Sequence, residues 1–113
     1  MKTKINLMIA LMFLSVTSLM AEDLKTEKFK VYGNCGMCEK RIEKAASSLD
    51  GVSKADWDKE TKMIEITFHS DQVKVDDIHK AIADVGHDTE NETAKDEVYS
   101  DLPGCCQYDR KKD

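Results

Sequence analysis

The chain has 113 residues, 35% of them charged, and a formal net charge of −5. That is enough for one modest domain with a small core, too little for a deep, closed active site. An acidic balance argues against nucleic acid, whose phosphates need a basic face.

The N-terminus reads as a targeting signal. Lys2 and Lys4 precede an apolar run from Ile5 to Leu19, and Ser18-Leu19-Met20-Ala21 gives way to charge. This is the pattern of a secretory signal peptide over residues 1–21, with cleavage expected after Ala21 and export to the periplasm or the extracellular space. The run is short for a membrane span, and the exported part has no span of its own. Two of the basic residues leave with the signal, so the exported part is more acidic than the whole.

Residues 22–93 read as one folded unit made of two matching halves. Phe29 and Val31 alternate with Lys28 and Lys30, the mark of a half-buried strand. After the Gly33–Gly36 loop, Ile42, Ala45, Ala46 and Leu49 form one stripe of an amphipathic helix, which Asp50-Gly51 stops. Ala55 and Trp57, with Trp57 in the core, mark a second strand. Ile64, Ile66 and Phe68 mark a third. The stripe recurs at Ile78, Ala81, Ile82 and Val85, with Asp76 and Asp77 in the first turn and Gly86 at the end. A fourth strand is expected over 88–93, although that stretch has no apolar face. The order βαββαβ predicts an α+β, ferredoxin-like sandwich: a four-stranded antiparallel sheet with two helices on one face. Residues 94–113 form a C-terminal extension that carries Cys105-Cys106.

The chemistry centres on Gly33-Asn34-Cys35-Gly36-Met37-Cys38. Cys38 falls near a helix start, where unsatisfied N–H groups and the dipole favour negative charge. Thiolate is therefore expected there, and thiolate is the species that binds metal. Two soft ligands suit copper(I) or mercury(II), whereas zinc prefers four.

With this loop between a strand and a helix, residues 27 to about 90 resemble the heavy-metal-associated domain family. That family includes small copper chaperones, modules of copper ATPases and periplasmic mercury-binding proteins. Its motif is G-M-x-C-x-x-C. Gly33, Cys35 and Cys38 match it, while the methionine ahead of the first cysteine has no counterpart and Met37 lies between the cysteines. Gly51-Val52, Ile64 with Ile66, and 78–86 fit the family's core positions. The resemblance implies that the chain binds and hands over a metal ion through Cys35 and Cys38. It also implies a membrane metal transporter or efflux component as partner.

Further candidate ligands are His87, Cys105 and Cys106. The topology brings His87 to the edge that holds the cysteine loop, as a third ligand or proton acceptor; the alternative is an exposed loop histidine. His69 and His79 are expected at the surface. Cys105 and Cys106 complete the Cys35–Cys38 site, form an independent soft-metal site, or pair as disulfides in an oxidising compartment. Four thiolates would widen the choice toward zinc.

Two other functions compete. A thiol-disulfide oxidoreductase also uses C-x-x-C at a helix start, but the chain is short for that fold and the loop lacks an aromatic residue before the first cysteine. An interaction module with a structural disulfide in the loop needs no metal at all. No catalytic centre for hydrolysis or phosphoryl transfer is visible.

Overall fold

The computed structural model describes residues 23–111. The expected signal peptide lies outside the described residues. Three strands form one antiparallel sheet: β1 (Leu24–Lys30), β2 (Val52–Trp57) and β3 (Met63–His69). β3 lies in the centre, in the order β1-β3-β2. The register sets Phe29 against Ile64 and Trp57 against the same Ile64. Phe29, Trp57, Ile64, Ile66 and Phe68 therefore point to one face and are buried there, as the period of two requires.

That face is covered by α1 (Gly36–Ser47) and α2 (Val75–Asp84). α1 buries Cys38, Ile42, Ala45 and Ala46. The expected apolar stripe thus runs one turn further back and takes in the second cysteine of the loop. α2 buries Ile78, His79, Ile82 and Ala83, so its covered face is turned toward His79 and Ala83, away from Ala81 and Val85. Both faces join the sheet in a single cluster of buried residues.

The expected fourth strand does not form: among the described residues the sheet has three strands. A remnant survives beside β1 as a single bridge between Val31 and Thr89, with backbone bonds from Tyr32 N–H to Asp88 O and from Glu90 N–H to Lys30 O. The cause is local. The Thr89 hydroxyl accepts the N–H groups of Asn91 and Glu92, and Thr89 N–H donates to Glu92 O. A threonine that captures the next N–H groups turns the chain and ends the ladder.

His79 is a second correction. It is 2% exposed, stacks on Phe29 with ring centroids 3.8 Å apart, and its Nδ1 lies 2.7 Å from the Thr89 hydroxyl. Thr89 thus both ends the strand and satisfies a buried imidazole.

Beyond the turn, the extension folds back. A short helix α3 (Asp96–Ser100) and a 3-10 turn (Gly104–Cys106) lead to Tyr108 and Arg110, which fasten the extension to residues 86–88. The Tyr108 hydroxyl donates to Gly86 O and accepts from Asp88 N–H. Arg110 makes a two-pronged contact with the Asp88 carboxylate, at 2.8 and 3.1 Å. Leu102 packs over Gly86, whose φ of +107° suits only glycine; a Cβ there would meet Leu102 at 3.1 Å.

Candidate metal centre

The loop between β1 and α1 is shaped by a close approach. A side chain at Gly33 would stand 3.1 Å from the Trp57 ring and 3.2 Å from Cys38 Cβ. Trp57 is in turn fixed by its indole N–H, which donates to Val31 O at 3.0 Å. Glycine therefore lets the loop lie directly on the core. Cys35 is the N-cap of α1 in extended conformation, and Cys38 is fully buried one turn in. Their sulfurs are 3.5 Å apart.

The two thiols differ in ionisation, opposite to the expectation that Cys38 is the thiolate. Cys35 is lowered to about 7, chiefly because the Cys38 N–H donates to its sulfur. Cys38 is raised to about 11 because burial penalises its charged form. The orphan N–H groups of the first turn act on the capping residue, and the inward-facing Cys38 meets the core instead. The periodic signal was present: Cys38 stands four residues before Ile42, on the apolar stripe.

The extension contributes two more sulfurs. Cys106, fully buried, lies 3.6 Å from Cys35, and exposed Cys105 lies 3.9 Å from Cys106. The ligand atoms of Cys35, Cys105 and Cys106 all fall within 4.8 Å of one another. Cys105 also approaches the Met37 thioether at 3.8 Å. All four cysteines are free thiols. A surface of three to five sulfur atoms with no carboxylate among them is a donor set for a soft cation.

His87 sits at the edge of the cysteine loop, but not as an exposed loop histidine. It is completely buried, and its ring is already engaged. Nδ1 lies 2.8 Å from Tyr32 O; a carbonyl only accepts, so Nδ1 carries the proton. Nε2 lies 3.4 Å from Arg41 Nη1. Burial lowers its pKa, which leaves a neutral ring stacked on Tyr108 with centroids 5.3 Å apart. His87 is outside the sulfur cluster among the described residues; it ties the Tyr32 end of the cysteine loop to Tyr108 of the extension. Arg110 and Asp88, which complete this tie, carried no signal in the sequence beyond their charge. Tyr99, Leu102 and Tyr108 pin the extension alongside them.

The heavy-metal-associated domain model matches residues 29–88. The chain belongs to this family. The copper chaperone CopZ of Staphylococcus saprophyticus is 36% identical over 66 residues, which are 58% of this chain and 97% of that protein. The crystal structure of oxidised MerP from Ralstonia metallidurans CH34 has 34% identity and a TM-score of 0.57, over 59% of this chain and 94% of MerP. A copper-binding domain from HMA7, a P-type ATPase, has 29% identity and a TM-score of 0.56, over 57% of this chain and 89% of that one. The extension beyond residue 93 lies outside the matched family segment. The chain is thus a metal-binding heavy-metal-associated domain related to copper chaperones and MerP, and no described helix is long and apolar enough to cross a membrane.

Proposed function

We propose that this protein is exported and binds copper(I) as cargo through Cys35 and Cys38, holding it for transfer to a membrane transporter or efflux component. The observation that carries the reading is the 3.5 Å sulfur pair at the start of α1, with one thiol lowered to about 7. One sulfur is near its thiolate form before any ion arrives, and the second gives up its proton on binding. The kinship with copper chaperones supports copper(I) over mercury(II) or zinc as cargo. The kinship with a copper-binding domain of a P-type ATPase supports a transporter as receiver. No catalysis is needed: the chain carries an ion, and only metal–sulfur and S–H bonds change.

Anaerobic competition titration of the reduced protein against a copper(I) chelator tests this reading. The parent should bind copper(I), and Cys35→Ser/Cys38→Ser should lose that binding. Insulin reduction dependent on both cysteines would instead favour a thiol-disulfide oxidoreductase. Export is tested by the N-terminal sequence of the protein recovered from its cell, which should begin at Glu22.

A further inference from the structure

The extension lies outside the matched family segment, yet it ends on the family's cysteines. Cys106 is buried against Cys35, and its position is enforced from several sides. Tyr108 bonds to Gly86 and Asp88, Tyr99 donates to Tyr108 O at 2.6 Å, and Arg110 pairs with buried Asp88. Leu102 seats on Gly86. These anchors hold the two tail thiols over the loop without any bond between sulfurs.

The spacing of the sulfurs has a definite meaning. With metal–sulfur bonds of about 2.3 Å, two sulfurs across a linear ion stand about 4.6 Å apart, while the edge of a trigonal site is about 4.0 Å and that of a tetrahedral one about 3.8 Å. The separations here are 3.5 Å for Cys35 to Cys38, 3.6 Å for Cys35 to Cys106 and 3.9 Å for Cys105 to Cys106. They form a run of contacts from Cys38 through Cys35 and Cys106 to Cys105, each well short of the about 4.6 Å across a linear ion.

We infer that the extension is the second half of the metal site: its thiolates, Cys106 foremost with Cys105 at the rim, raise the sulfur coordination of the bound ion above two and make the protein retain its cargo until the tail lifts. This rests on the reading of Cys35 and Cys38 as ligands. A two-sulfur site on an open loop leaves the ion accessible to an incoming thiolate; a tail sulfur occupies that approach. Release then requires breaking a metal–sulfur bond to the tail and parting the tail from residues 86–88.

X-ray absorption on the copper(I)-loaded full chain, paired with the rate of copper(I) release to a chelator, tests the inference. The parent should show three or four sulfurs, and Cys105→Ser/Cys106→Ser should show two and release faster by roughly tenfold or more, since even losing an outer partner of a metal ligand costs about 10–100-fold. Arg110→Ala keeps every sulfur but loosens the tail, and should also speed release; circular dichroism of each variant shows that the fold is kept. Equal sulfur number or equal release in the parent and the double tail variant overturns the inference and leaves the Cys35–Cys38 reading standing. A parent that binds no copper(I) overturns both.

Discussion

The Cys106 sulfur lies 3.6 Å from that of Cys35, 71 positions earlier in the chain. Closing so long a loop costs conformational entropy, and here the contact is held by polar groups at some distance from it. Tyr108, Arg110 and Asp88 bring the tail to the sheet edge that Thr89 leaves unfinished.

Alkylation of the metal-free, reduced protein should modify Cys35 and spare Cys38, with the exposed Cys105 also open to the reagent. Its thiol is lowered to about 7 and is partly exposed, whereas Cys38 is raised to about 11 and fully buried. The rate at Cys35 should rise with a midpoint near pH 7, and Cys38 should stay unmodified across neutral pH; peptide mass mapping reads both.

Arg110→Ala should strip a partner from a carboxylate whose side chain is 1% exposed. A buried charge left without its counter-ion costs on the order of 3 kcal/mol, measurable by urea unfolding. The effect has a pH sign. Burial pushes the Asp88 carboxyl up, but the bonds from Arg110 and Ala94 N–H outweigh it and hold the carboxyl below its ordinary range. The folded carboxyl thus binds fewer protons than the unfolded one, so its contribution is present above about pH 3.9 and is lost as pH falls through the lower folded value. The variant should lack this acid-sensitive component.

Stability should also fall on mild acidification, below about pH 6.5. Burial lowers the pKa of His87 and of His79. The unfolded chain therefore takes up protons that the folded chain refuses, and stability declines as pH drops toward the folded values. His87→Gln should flatten part of that decline in unfolding measurements from pH 7 to 5, and His79 should account for part of the remainder.

Gly33→Ala should destabilise the loop. The new Cβ would press on the Trp57 ring at 3.1 Å and on Cys38 Cβ at 3.2 Å, both fixed by the core. Overpacking of this kind costs about 1–3 kcal/mol. A shift in Trp57 fluorescence, together with a lower urea midpoint, is the expected outcome.

The framework was legible because its signals are periodic. Phe29 with Val31, and Ile64 with Ile66 and Phe68, alternate as strands, and the stripe through Ile42 and Ala46 marks α1. What stayed hidden depends on single polar contacts. Nothing in the run Asp88 to Thr93 shows that the Thr89 hydroxyl will capture two N–H groups and end the ladder, or that the same oxygen will shelter His79 inside the core. The pairing of Arg110 with Asp88 is equally silent in sequence. At the site, the cysteines and their loop were visible, and the difference in ionisation between them was not. Helix position alone suggested a thiolate at Cys38, but the side chain follows the apolar stripe inward, and desolvation outweighs the helix start.

The grip of Cys35 and Cys38 on a soft cation as thiolates is measured by differential alkylation at pH 8, with and without one equivalent of copper(I) under anaerobic conditions. Copper(I) should slow modification of Cys35 strongly while an exposed control cysteine introduced at Ser70 reacts as before. An unchanged rate at Cys35 with copper(I) present would contradict the account.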